Sequence, residues 1–270
     1  MATVKALRIL NPGFVSVTYG AGGSSRARTL EVVKRIKGEL EIESMAHVTC
    51  VGHSRDELRS LFTELASSGV QNIMALRGDP PKGEEQFVTA SGGFTYAVDL
   101  IDMLAREFSF SIGAAAYPEK HLEAESFESD LRNAVRKVQA GAEFLVTQLF
   151  FDNDAYFAFV DRLRDCGVHV PVVPGIMPIT NYESIARMTK MSGAGLPQRL
   201  LAELEARIDE PEAVAELGVA FTTLQCRDLL ARGAPGLHFY TLNRSPATRA
   251  VVSALIATNI LREPLLSGER

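Results

Sequence analysis

Short apolar runs alternating with amphipathic stretches constrain this chain more than any other feature of it. Residues 14–18, 45–50, 72–78, 111–117, 144–149, 171–177 and 236–242 are apolar and bounded by Gly, Pro or polar turn residues, which predicts strands. Helices are expected between them over residues 2–10, 26–40, 54–69, 95–108, 126–140, 153–166, 181–192, 197–208, 211–231 and 246–258. Within this set, Ser54-Arg55-Asp56-Glu57 is a capping box, and Gly69, Gly141 and Gly167 are placed as helix stops. Strict alternation with no shift in composition argues for one α/β domain, residues 1–270, built on a parallel sheet. A (β/α)8 TIM barrel is the expected architecture, with extra helices before the last strand. A barrel needs eight strands, and this chain opens on the helix that should follow the first. Either the sheet is open or the first strand is missing from this chain.

Within that frame, Asn72-Ile73-Met74-Ala75-Leu76-Arg77-Gly78-Asp79-Pro80-Pro81 draws attention first. A glycine and two prolines cannot continue a ladder, so Asp79 falls just past the strand's carboxyl end, where ligands collect in parallel sheets. Asp-Pro is also an ordinary turn opening, so Asp79 is either a ligand-facing carboxylate or a turn residue. Strand 111–117 carries Gly113 and Ala114-Ala115-Ala116 where barrel interiors usually hold bulky branched residues. The void is filled either by a flat apolar cofactor or by large side chains of a neighbouring strand. On helix 126–140, Asp130, Asn133, Arg136 and Lys137 share a face. They form either a ligand grip or a solvated charged surface. Gly20 to Gly23 lack the spacing of a dinucleotide fingerprint and are expected to let a ligand approach the backbone. Gln148, polar near the end of an apolar strand, can both donate and accept hydrogen bonds.

Composition narrows the chemistry. The net charge of −5 and the lack of any Lys/Arg run argue against nucleic acid and anionic membranes, leaving a small-molecule substrate. Cys50, Cys166 and Cys226 are odd in number and lack metal-ligand spacing, and the five histidines form no H-E-x-x-H pair. Reduced thiols, no metal site and a cytoplasmic protein are therefore expected. No apolar run reaches membrane-spanning length.

Several segments, in order, carry a resemblance. Val15-Ser16-Val17-Thr18-Tyr19-Gly20-Ala21, His47 with Thr49, Ala75 to Asp79, Ala115-Ala116-Tyr117-Pro118-Glu119 with His121, Thr147-Gln148 with Phe151-Asp152, Pro174-Gly175-Ile176 and Phe239 to Arg244 together resemble the methylenetetrahydrofolate reductase family. The resemblance implies a (β/α)8 barrel that binds FAD. It implies hydride passage from NAD(P)H through the flavin to 5,10-methylenetetrahydrofolate, giving 5-methyltetrahydrofolate for methionine synthesis. A homo-oligomer is expected on the same ground. By position, flavin contacts fall on Tyr19, Ala21, His47, Arg77, Gly78, Asp79, Ala97, Tyr117, His121, Ala124, Asp130, Asn133, Arg136 and Lys137. Thr18 matches a nicotinamide position and Arg244 a folate position. Asp79 and Gln148 match the residues closest to the chemistry, both meeting substrate.

Two departures from the family pattern stand out. The family's first strand bears a glutamate that acts as general acid, and residues 1–13 contain no match to it. A placed acid is typically worth about 10²–10⁴ in rate, so a flavin- or folate-binding barrel with impaired turnover is the alternative reading. Ser184 and Met188 replace a glutamine and an aromatic residue usual on the helix after Pro-Gly-Ile. An aldolase-like barrel with Lys137 as a Schiff base is a weaker alternative, because Lys137 lies on a helix rather than at a strand end.

Overall fold

The computed structural model describes residues 1–18, 26–80 and 87–261. Among these, seven strands and ten helices alternate: α1 (Ala2–Arg8), β1 (Val15–Val17), α2 (Arg26–Leu40), β2 (Ser44–Thr49), α3 (Arg55–Ser67), β3 (Asn72–Leu76), α4 (Ala97–Glu107), β4 (Ser111–Ala116), α5 (Phe127–Gln139), β5 (Phe144–Leu149), α6 (Asn153–Asp165), β6 (Val172–Ile176), α7 (Tyr182–Ser192), α8 (Gln198–Glu205), α9 (Pro211–Ala231), β7 (His238–Phe239) and α10 (Pro246–Ala257). The strands form one sheet in sequence order, β1 to β7, which is the order that right-handed βα crossovers produce. The chain divides into two compact units.

The first unit comprises residues 1–8, 12–115 and 133–145. Its strands pair in parallel, β1 with β2, β2 with β3 and β3 with β4. All six residues of β2 are buried, as expected of a strand covered on both faces. The predicted capping box forms. Ser54 accepts from the Glu57 amide while the Glu57 carboxylate accepts from the Ser54 amide at 2.8 Å. From that start α3 buries Leu58, Leu61, Phe62 and Leu65, spaced as one helical stripe. Phe62 lies 5.5 Å from Phe108 and 6.0 Å from Phe110, closing the core around the end of α4.

At Gly113 the space left by the small-residue strand is taken by its neighbours. A Cβ on Gly113 would stand 2.6 Å from the Phe144 ring and 3.3 Å from the Met74 sulfur. The space left by Gly113 is therefore filled by Phe144, the first residue of β5, and not by a cofactor. Large and small residues alternate across neighbouring strands here, as cores require.

The second unit comprises residues 9–11, 116–132 and 146–270, described as far as residue 261. Strand β6 pairs in parallel with β7. Its core gathers Leu149, Phe151, Met177, Ile179, Ile185, Leu200, Leu204 and Val214, so the inserted helices α7 and α8 bury their apolar stripes against the ends of β5 and β6. Met188 packs on the same cluster, and the Ser184 amide donates to the Asn181 cap. Phe150 stacks on Tyr156 at 5.4 Å, and the Tyr156 hydroxyl donates to the Val172 carbonyl. Strand β7 is shorter than its apolar run predicts. The Tyr240 amide still donates to the Ile176 carbonyl, but Leu242 and Asn243 adopt left-handed φ values of 47° and 60°, which takes the chain out of the extended region. Gly20 to Gly23 and the tail from 263 lie outside the described residues.

Because the Gly113 site is already occupied by Phe144, Gly113→Ala should lower stability by about 1–3 kcal/mol. Adding Phe144→Leu to that variant should recover part of the loss. Urea unfolding midpoints of the two variants and the parent chain check this.

Candidate functional site

Strand ends carry the residues of interest, and β3 shows how the local sequence builds one. The ladder runs only to Leu76. Beyond it the Cys50 amide reaches both the Leu76 and Arg77 carbonyls, at 3.2 and 3.0 Å. Gly78 then turns with φ of 87°, a region that L side chains rarely adopt. A Cβ there would also meet Val51 Cγ2 at 2.7 Å and Thr49 Cβ at 2.9 Å. Both conformation and space demand glycine, so the chain is forced off the sheet at this residue. Asp79 emerges exposed immediately after the turn. The Arg77 guanidinium lies 5.3 Å above the Phe87 ring, and its Nε donates to the Gly78 carbonyl at 3.3 Å. His47 is buried on β2, opposite Met74 in the register. Ala97 is buried at the first position of α4. Thr18 is exposed just past β1, its carbonyl accepting from the Thr29 hydroxyl.

Still in the first unit, Asn133 and Arg136 are exposed on α5 and Lys137 is half-buried. Lys137 Nζ donates to the Ala115 carbonyl at 2.8 Å, anchoring the side chain to the end of β4. An amine fixed this way is ill suited to Schiff-base chemistry, which needs a neutral, mobile nucleophile.

In the second unit, the loop after β4 is stapled by Asp130. That carboxylate is buried and accepts from the His121 amide at 2.8 Å. Asp130 therefore does not share an open face with Asn133 and Arg136, as helical spacing alone predicts. Its carboxylate satisfies a backbone donor that burial would otherwise leave costly. His121 packs edge-on against Tyr117 at 4.7 Å, and its Nδ1 accepts from the Glu123 amide. Ala124 closes the loop by donating to the His121 carbonyl and by accepting from Lys120 Nζ.

Gln148 stands one residue before the end of β5. Its Oε1 accepts from the Leu149 amide at 2.9 Å, which fixes the amide plane and leaves the nitrogen to donate. Beside it, a polar latch holds three strands, and the sequence reading passed over it. The Thr147 hydroxyl accepts from the Gly175 amide at 2.8 Å, and the Tyr240 hydroxyl donates to the Thr147 carbonyl at 2.6 Å. Gly175 is small because a Cβ would strike the Thr147 carbonyl and the Tyr240 ring. Burial pushes the Tyr240 phenol well up, so the hydroxyl stays a donor. The signal was available, since Thr147 is a polar residue in an apolar strand and Gly175 sits in another. Arg244 is exposed in the turn after β7, its amide donating to the Thr241 carbonyl. Tyr19 and Ala21 lie outside the described residues. Among the described residues no group of three His, Cys, Asp or Glu could hold a metal, and no helix is long and apolar enough to cross a membrane.

A family model for methylenetetrahydrofolate reductase matches residues 1–256. The chain belongs to that family. It is 39% identical to methylenetetrahydrofolate reductase (NADH) 1 of Arabidopsis thaliana, over 95% of this chain and 45% of that protein. It is 37% identical to the 5,10-methylenetetrahydrofolate reductase of Salmonella typhimurium, over 94% of this chain and 83% of that one. The chain thus spans under half the length of the plant reductase and most of the bacterial one. In fold it resembles an uncharacterized protein from Clostridium thermocellum that binds two copies of 5-methyl-5,6,7,8-tetrahydrofolic acid, with a TM-score of 0.52 at 16% identity, covering 96% of this chain and 100% of the other. In this methylenetetrahydrofolate reductase family member, Arg77, Asp79 and Gln148 stand at or just past strand ends.

His238, beside the latch, gives a pH signature. Its ring is buried 5.1 Å from Tyr240, and burial lowers its pKa from 6.5 to about 4. The unfolded chain then binds the extra proton first, so the stability held by the neutral ring is complete above about pH 6.5 and is lost as pH falls towards 4. Urea unfolding at pH 7.5 and pH 5 should show an acid loss about 2 kcal/mol smaller in His238→Gln than in the parent chain.

Proposed function

We propose that this chain reduces 5,10-methylenetetrahydrofolate to 5-methyltetrahydrofolate, using NAD(P)H as hydride donor and FAD as its cofactor, on a (β/α)8-type barrel. Family membership supports the reaction class, and the bacterial relatives carry the reaction's name over most of their length. The observation that carries the reading is the strand end at Gly78, where a forced turn delivers Arg77 and an exposed Asp79 together.

The donor set fits a flavin dinucleotide. Arg136 and Lys137 are cations suited to a pyrophosphate, and Asn133 adds an exposed amide one turn away on α5. Lys137 is already ordered by the Ala115 carbonyl, so little of its side-chain entropy remains to be lost on binding. Bound FAD would supply a two-electron carrier able to take a hydride from the nicotinamide and give it to the folate. Asp79 would hold the pterin through its N–H groups. Gln148, with its oxygen engaged by Leu149, would donate from its amide nitrogen to either substrate in turn. Arg244, exposed after β7, would pair with a folate carboxylate.

Purified chain should retain FAD, bleach anaerobically with NADH or NADPH, and yield 5-methyltetrahydrofolate when methylenetetrahydrofolate is added. Bleaching without that product would favour the binding protein with impaired turnover. Lys137→Met should weaken FAD binding at least tenfold, about 1.4 kcal/mol, as read by flavin fluorescence quenching.

A further inference from the structure

A cleft lies in the unit that contains α6 to α10, and no residue assigned to flavin, nicotinamide or folate lines it. Its volume is about 610 Å³, room for a small organic molecule. Phe151, Leu196, Pro197, Phe221 and Leu224 form apolar walls, and Leu224 is 63% exposed at the mouth. Glu119, Asp152, Asn153 and Gln225 supply the polar lining.

The hydrogen bonds already made fix what that lining can offer. Gln225 is 6% exposed, and its Nε2 donates to the Phe150 carbonyl at 2.9 Å, leaving a buried Oε1 with no partner. Asn153 Nδ2 donates to the Gln225 carbonyl and to Asp228, leaving a buried Oδ1 with no partner. Glu119 Oε1 accepts from the Gly195 amide at 3.1 Å, leaving Oε2 buried and unpartnered. One Asp152 oxygen caps α6 by accepting from the Asp154 amide. The unpartnered buried atoms on the residues that line this cleft, Glu119 Oε2, Asn153 Oδ1 and Gln225 Oε1, are thus oxygens, and Asp152 adds an exposed carboxylate. Burial and then the nearby Asp152 push the Glu119 pKa up, so its negative charge is costly without a counter-charge. The Phe151 and Phe221 rings, 6.3 Å apart, add faces that attract cations.

We propose that this cleft binds a small organic cation, an amine or guanidine carried on an apolar body. The charged head is held by Glu119, Asp152 and the two amide oxygens, and the body lies against Leu196, Pro197 and Leu224. A hard metal ion would meet oxygen ligands but would leave the aromatic and aliphatic walls without a role. The assignment uses none of the residues assigned to flavin, nicotinamide or folate.

The test is calorimetric titration of the whole chain with n-butylguanidinium, alongside n-butylurea, its neutral near-isostere, and Mg²⁺ and Ca²⁺. Saturable binding of butylguanidinium with at least tenfold preference over butylurea is expected. Glu119→Gln, which keeps an oxygen for the Gly195 amide, and Asp152→Asn, which keeps a helix cap, should each weaken binding at least fivefold. Chemical-denaturation curves establish that each variant is folded, and Asp152→Asn alone decides the matter if Glu119→Gln is not. Equal binding of butylurea, unchanged affinity in the folded variants, binding of the divalent ions alone, or no saturation below 10 mM (a few kcal/mol of affinity) would each overturn the assignment.

Discussion

The backbone at Gly78 is the constraint on which the carboxyl end of β3 depends. A positive φ and a separation from Val51 and Thr49 too small for any Cβ leave one residue type able to end β3 where it ends. The bifurcated acceptance by Leu76 and Arg77 of the Cys50 amide holds the strand straight up to that point. Arg77 and Asp79 therefore flank a turn set by the backbone conformation of Gly78 and by its close packing on the Val51 and Thr49 side chains. Preorganisation of this kind suits groups that must meet a ligand in fixed geometry.

The second unit solves the same problem with hydrogen bonds. Thr147, Gly175 and Tyr240 tie β5, β6 and the end of β7 together through buried donors and acceptors that are mutually satisfied. Gln148 adjoins that latch and bonds its own chain at Leu149, so its amide is held in one orientation. The neutral His238 ring, packed at the same point, makes this arrangement sensitive to acid. Both units thus place polar groups at strand ends by means that demand particular residues at Gly78, Thr147, Gly175 and Tyr240.

How much of this was legible in the sequence depended on how local the signal was. The box at Ser54 and Glu57, the helix over residues 211–231 with its leading proline, and the full span of β5 follow from spacing within a few residues. The end of β7 was missed because left-handed Leu242 and Asn243 carry no glycine to announce them. The void expected at Gly113 needed Phe144, 31 positions later, to fill it. Asp130 looked like one of four residues on a helix face, yet its carboxylate serves the His121 amide instead. Glu119 stood inside a family motif without an assigned role, because its environment is made by Gly195, 76 residues away.

Diffraction from crystals of the chain loaded with FAD and methylenetetrahydrofolate tests the central claim most directly. The account predicts the isoalloxazine ring within hydrogen-bonding distance of the Arg77 to Asp79 turn, with Asp79 touching the pterin. Density for the flavin away from the end of β3, or a pterin that Asp79 does not contact, would contradict it.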